Sequence, residues 1–228
     1  MRKFLHENGL AITTFALFLI FWGLMAVAGF FNYNQQQQEH SQSIISFGSY
    51  LTTGHFWEAT FENWESEFLQ MGLFVLLTAY LYQKGSAESK TEEEHAQEKR
   101  EEEQEQKEEK TRGNNVQVPS PIRRGGWIKV LYENSLSIAL LSLFIFSFIF
   151  HAIEGVREYN QQQALLGQPP ITAWKFLSTS EFWFQSFQNW QSEFLAVGAM
   201  VVLTIFLRQK GSAESKRVGA PTAETGRK

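Results

Sequence analysis

Residues 63–90 read NWESEFLQMGLFVLLTAYLYQKGSAESK, and residues 189–216 read NWQSEFLAVGAMVVLTIFLRQKGSAESK. The two stretches stand 126 residues apart with no gap between their registers. The same offset matches Phe56-Trp57 to Phe182-Trp183, Tyr33 to Gln37 with Tyr159 to Gln163, and Glu7-Asn8 with Glu133-Asn134. Roughly 40 of about 86 paired positions are identical, so the chain is a tandem repeat and its fold is that of one unit built twice. Each copy is an internal control for reading the other.

The mean hydropathy is slightly negative, but one charged segment dilutes several apolar runs. Leu10 to Phe31 holds 22 residues without a charge, enough at helical rise to cross a hydrocarbon layer of ~30 Å. Leu136 to Ile153 is its counterpart. Phe68 to Tyr82 and Phe194 to Leu207 are shorter, and an aromatic, helix-compatible stretch precedes each. The expected fold is an all-α membrane protein. Four transmembrane helices form two parallel-oriented tandem hairpins about a pseudo-twofold axis. The first copy covers 1–90 (spans about 10–31 and 66–83), a charged linker 91–125, the second copy 126–216 (spans about 134–155 and 192–209) and a tail 217–228. Arg2-Lys3, an apolar run and Ala26-Val27-Ala28 imitate a signal peptide. The run is too long for a signal core, and its image recurs mid-chain, so no cleavage is expected.

Of 20 Lys and Arg residues, 18 fall in the N-terminal segment, the linker with its flanks, or the C-terminal end. The loop 32–66 has none, and the loop 154–192 has only Arg157 and Lys175. The positive-inside rule then places both termini and the linker in the cytoplasm. No cysteine is present, which removes disulfides, thiolate catalysis and Cys-based metal sites.

Residues 91–112 read TEEEHAQEKREEEQEQKEEKTR, good helix formers without an apolar stripe. A solvated helix is expected, supported by pairs such as Glu103 with Lys107, as a spacer or an acidic docking arm. Gly113-Asn114-Asn115 and Pro119-Ser120-Pro121 break it. Arg123, Arg124 and Lys129 flank the third span. Lys84-Gly85 and Lys210-Gly211 suggest helix ends with cations in the last turn and glycine beyond.

The outer loops are aromatic. Trp57, Trp64, Trp183 and Trp190 read as an interfacial belt, and Trp57, Phe61, Trp64 and Phe68 make one helical stripe. Comparing copies narrows the polar candidates. Glu58, Glu62 and Glu65 become Phe184, Gln188 and Gln191, so their charge is dispensable to the repeat. Asn63, Ser66 and Glu67 are kept as Asn189, Ser192 and Glu193. A carboxylate at a span boundary is costly unless paired, hydrated or facing a cavity. Glu67 and Glu193 can face each other and hold a cation or proton, fasten each hairpin through Asn, Ser or the Tyr33 and Tyr159 loops, or mark the helix end in headgroup water. His151, Glu154 and Glu158 have ligand-like spacing. Their counterparts Met25, Ala28 and Asn32 lack that chemistry, and Arg157 offers Glu154 and Glu158 ordinary charge pairing.

At LHENG (Leu5 to Gly9), GHFWEATFENWESEFLQMG (Gly54 to Gly72) and RQKGSAESK (Arg208 to Lys216), the chain resembles a family of bacterial membrane proteins known only as a domain of unknown function. The resemblance implies a bacterial origin and an inner- or plasma-membrane location. It implies no substrate, cofactor or catalytic residue.

The expected role is that of a non-enzymatic structural or accessory membrane protein. It would be a multi-pass protein with no cofactor and no metal site. Its partners would be the lipid bilayer and a further copy or another membrane protein, with no nucleic acid. The alternative is a small ion or solute channel or transporter using the outer-leaflet carboxylates. An enzyme is not expected, since no nucleophile, phosphate loop or strong metal motif is present.

Overall fold

A computed structural model describes residues 2–112 and 119–226. The described residues are helical with no strand, in the order α1 (Arg2–Glu7), α2 (Gly9–Glu39), α3 (Phe47–Tyr50), α4 (Gly54–Tyr80), α5 (Glu92–Arg112), α6 (Ser120–Arg124), α7 (Gly126–Glu133), α8 (Ser135–Leu165), α9 (Ala173–Phe176) and α10 (Ser180–Phe206). Helices α2, α3 and α4 recur at the repeat offset as α8, α9 and α10, with the same lengths of 31, 4 and 27 residues.

Side-chain chemistry repeats with the backbone. Asn8 Nδ2 donates back to Phe4 O at 2.9 Å and Asn134 Nδ2 to Val130 O at 2.8 Å, each at the break before a long helix. Both long helices end on a left-handed residue, Ser41 at φ +57° and Gly167 at φ +68°. The amides of Gln42 and Gln168 then reach back to the carbonyls of Gln37 and Gln163 at 2.7 and 3.0 Å, closing a Schellman-type end.

Among the described residues three helices are long and apolar enough to cross a membrane: α2, α8 and α10. Much of their apolar surface is exposed, including Phe15, Leu19, Phe21, Leu24, Ile145, Ile149, Val202 and Phe206. Contiguous exposed surface of that kind calls for a nonaqueous neighbour. Helix α4 matches α10 in length but is not one of the three. Glu58, Glu62, Glu65 and Glu67 in its first half, with Asn63 and Gln70, offset its apolar end.

The second helix of each copy ends at Tyr80 and Phe206, short of the expected limits of 83 and 209. Lys84 and Lys210 therefore lie outside the last turn. Gly85 and Gly211, both at φ +84°, sit in a following turn closed by Ser86 N to Gln83 O and Ser212 N to Gln209 O, each 3.2 Å. The repeated serines hold this loop: Ser89 Oγ accepts from Gln83 N at 3.0 Å and Ser215 Oγ from Gln209 N at 2.9 Å.

The linker helix α5 starts on a capping box. Thr91 N donates to Glu94 Oε2 at 2.8 Å, and Glu94 N donates to Thr91 Oγ1 at 3.1 Å. The side chain of Lys107, expected opposite Glu103, and the breaker Gly113-Asn114-Asn115 lie outside the described residues.

The compact units are not the two sequence copies. One joins Met1–Asn63 with Ser147–Phe184, and the other joins Trp64–Phe146 with Gln185–Lys228. Each therefore combines segments of both copies. In the first unit, Tyr33, Tyr50 and Phe56 pack with Ala26 in one aromatic cluster, and Phe176 and Phe182 with Ala152 and Val156 in another. In the second unit, Gly72 is packed against Leu141, whereas Gly198 faces open space. The second unit also holds the C-terminal segment, where Lys216 Nζ donates to Thr222 O at 3.0 Å and Glu224 O at 2.8 Å. Burial and the nearby Arg208 charge push the Lys216 ammonium below its usual range, against the opposing pull of Glu224.

Candidate functional site

In the second unit, Glu67 of α4 and Glu193 of α10 meet with their carboxyl groups hydrogen-bonded to each other. Beside this pair, Glu65 is fully buried and accepts from Trp190 Nε1 at 3.0 Å. Trp190 also lies edge-on to Phe144 and Phe187. Ser66 is buried, while Ser192 is exposed and donates to Asn189 O at 2.8 Å. The structure thus brings together the retained carboxylates, one from each copy. Not every retained polar residue sits alike: Ser66 and Ser192 differ in burial. In the first unit Asn63 Nδ2 donates to Ala59 O at 2.6 Å.

Glu65 is one of three α4 carboxylates, with Glu58 and Glu62, whose charge is not kept between copies. Its counterpart Gln191 preserves the hydrogen-bonding shape but not the charge, so substitution between copies concealed a buried role. Identity between copies marks its partner Trp190, the image of Trp64, and not Glu65 itself.

The turns that follow α2 and α8 are tied down by a repeated asparagine. In the first unit, Asn34 Nδ2 donates to Ile45 O at 3.0 Å while its Oδ1 accepts from Ile45 N at 2.8 Å. Asn160 makes the same pair of bonds to Ile171, at 2.9 and 2.8 Å. One amide side chain completes both backbone groups of a loop residue and ties the returning chain to the helix end. Trp57 Nε1 then donates to Leu51 O at 3.0 Å and Trp183 Nε1 to Leu177 O at 2.9 Å. These indoles hold loop carbonyls rather than only offering an aromatic face. Trp64 is half-buried. The identity of Tyr33-Asn34 and Ile45 with Tyr159-Asn160 and Ile171 was the available signal.

The first unit also gathers titratable groups. Tyr50 Oη and His55 Nδ1 are 3.1 Å apart. Burial, the Glu158 charge and Tyr33 push the Tyr50 phenol up to about 12. Burial lowers the His55 pKa, against the opposing influence of Glu158. His151 is fully buried and stacked on Phe182 at 4.7 Å between ring centres. Glu154 is ion-paired with Arg157, whose other nitrogen reaches Thr52 O at 3.4 Å. Glu158 is 5 % exposed, and its Oε1 accepts from Gln162 Nε2 at 3.1 Å. Among the described residues no group of three His, Cys, Asp or Glu side chains can hold a metal ion. His151, Glu154 and Glu158 accordingly form no ligand set.

Two clefts accompany these clusters. One of about 620 Å³ in the first unit is lined by Tyr33, Gln37, His40, Glu158 and Gln162 among others. One of about 1020 Å³ in the second is bounded by α5 residues Glu94, His95 and Glu98 and by Glu133. Neither is lined by Glu67 or Glu193.

A protein-family model described as a domain of unknown function matches residues 1–227. No curated protein and no solved structure matches the chain.

Proposed function

The chain belongs to the DUF6766 family, and from that premise we propose that it is a multi-pass integral membrane protein with a structural or accessory, non-enzymatic role. Four helices, α2, α4, α8 and α10, cross the membrane as two tandem hairpins of the same orientation, related by a pseudo-twofold axis. Both termini and the linker lie in the cytoplasm of a bacterial cell. Three apolar helices support the membrane location. The lysine and arginine asymmetry supports the orientation.

The observation that carries the role is the meeting of Glu67 with Glu193 beside the Glu65–Trp190 bond. These contacts fasten α4 of one copy to α10 of the other. A clasp between copies suits a scaffold whose two halves must stay together, and its polar groups complete one another rather than line a described cleft. The same convergence favours a second reading, in which the pair passes a proton or small cation as part of a channel or transporter.

Flux through liposomes holding the purified chain separates the two. The scaffold reading expects no proton or cation flux above empty vesicles. It also expects Glu67→Gln with Glu193→Gln to leave any leak unchanged while lowering thermal stability. Flux that disappears in the double variant would establish the transport reading instead. A reporter fused after Lys90 checks the orientation, and its appearance outside the cell overturns it.

A further inference from the structure

We infer that the cleft between the C-terminal ends of α2 and α8 binds a small organic cation bearing a primary ammonium group, with Glu158 as its counter-ion. Glu158 is 5 % exposed, so its carboxylate has left bulk water. Its Oε1 is satisfied by Gln162, but the buried Oε2 has no hydrogen-bond partner among the described residues. A buried acceptor of this kind is costly unless something occupies it. Glu158 lines the cleft of about 620 Å³, which places the carboxyl group beside space that a ligand can fill.

The surroundings specify the class of ligand. Among the described residues no cation is ion-paired with Glu158: the adjacent Arg157 is committed to Glu154 and Thr52 O, and His40 lines the cleft without an ion pair to it. The volume lies within the roughly 300–1,000 Å³ range of small-molecule sites and exceeds what a bare ion fills. No metal-ligand group of three His, Cys, Asp or Glu exists among the described residues. Amides dominate the polar lining, with Gln36, Gln37, Gln161 and Gln162 beside the Tyr33 phenol and the His40 imidazole, and Leu165 and Leu166 add apolar surface. Amides both donate and accept, so they can read a second polar group on the ligand while the ammonium sits at Glu158. The Tyr33 ring supplies an aromatic face suited to the cation. The cleft belongs to the Gln-rich ends of α2 and α8, beyond their apolar stretches, where a water-soluble ligand can reach it.

The test is isothermal titration of the full chain in detergent with ethanolammonium chloride, against sodium chloride at equal ionic strength. Saturable binding tighter than roughly 10 mM is expected, with at least a tenfold loss in Glu158→Gln. That variant keeps the side-chain shape, and circular dichroism should show its helix content retained. Gln161→Trp, at an exposed rim position, should block the cleft without touching the interior and weaken binding as much. If Glu158→Gln fails to fold, the Gln161→Trp result decides alone. Absence of saturation, equal heats with sodium, or binding unchanged in the folded variants overturns the assignment.

Discussion

The turn over residues 34–57 and the turn over residues 160–183 follow the same local geometry with different interiors. Both begin with an Asn that brackets a loop Ile and end with a Trp that holds a loop carbonyl. Between them, Thr53 and Thr179 donate to the carbonyls of Tyr50 and Phe176 and accept from the amides of Phe56 and Phe182. Where the first turn buries Tyr50 against His55, the second buries Phe176 with Tyr159 and Phe182. Glycines stand opposite each ring: a Cβ on Gly29 would lie 2.1 Å from Tyr50 Oη, and one on Gly155 2.7 Å from the Phe176 ring. The comparison teaches that backbone-completing residues are fixed by the turn itself. Ring polarity is set by the neighbourhood each turn faces, and Glu158 lies on the side of Tyr50 and His55.

The contrast is sharpest at the start of the following helix. Gly54 corresponds to Ser180. A Cβ on Gly54 would meet Glu158 N at 2.8 Å and Glu154 O at 2.9 Å, both backbone atoms that cannot swing aside. Ser180 already carries a side chain at an exposed position. Gly54→Ser should cost about 3 kcal/mol, and Ser180→Gly no more than about 1 kcal/mol. Thermal unfolding in detergent measures both. Equal losses would remove the claim that only the first turn is pressed against α8 backbone.

Asn34→Ala and Asn160→Ala test the shared part. Each removes two hydrogen bonds to one loop residue, so each should cost about 2 kcal/mol. The two losses should agree within about 0.5 kcal/mol. A loss confined to one variant would break the equivalence of the turns.

Much of this was legible in the sequence, for reasons that also explain what was not. Helix class and the paired element order follow from long apolar runs and a fixed repeat offset, which any similar backbone must respect. The meeting of Glu67 and Glu193 was available as one of three readings because both residues are identical between copies. Glu65, Glu58 and Glu158 were discounted because they differ between copies. Identity between repeats reports what both positions need, and a residue buried against the other copy has no such duplicate. The helix ends at Tyr80 and Phe206 were read too late. The Lys-Gly signal resembles a helix cap, yet it belongs to a serine-held loop that starts after the helix has stopped.

The Tyr50–His55 contact adds a contrast in pH. Burial lowers His55 from its ordinary value of 6.5, so below that value the unfolded chain takes up a proton that the folded chain resists. Stability is therefore full above about pH 6.5 and falls as the pH drops from there toward the folded pKa. His55→Gln should flatten this part of the stability profile. Glu181, the counterpart of His55, is exposed, and Glu181→Gln should leave the same part of the profile in place. A profile that keeps its slope in His55→Gln assigns the titration elsewhere.

The smallest contrast lies where α2 and α8 end. Ser41 holds φ +57° and Gly167 φ +68° in the same Schellman-type closure. Only the serine carries a Cβ that crowds its own carbonyl in that region. Ser41→Gly should therefore stabilise the chain by about 0.5–1 kcal/mol, and Gly167→Ser should destabilise it by a similar amount. Both ends sit beside the cleft that holds Glu158, so the ethanolammonium titration reads the same variants. Affinity should stay within about twofold in each, because the substitution changes the strain of the closure and no group lining the cleft. Opposite signs in stability with unchanged affinity would show the two helix ends to be one structure differing by one side chain. Equal signs would mean that the surrounding loops, and not the left-handed residue, set the cost of ending each helix.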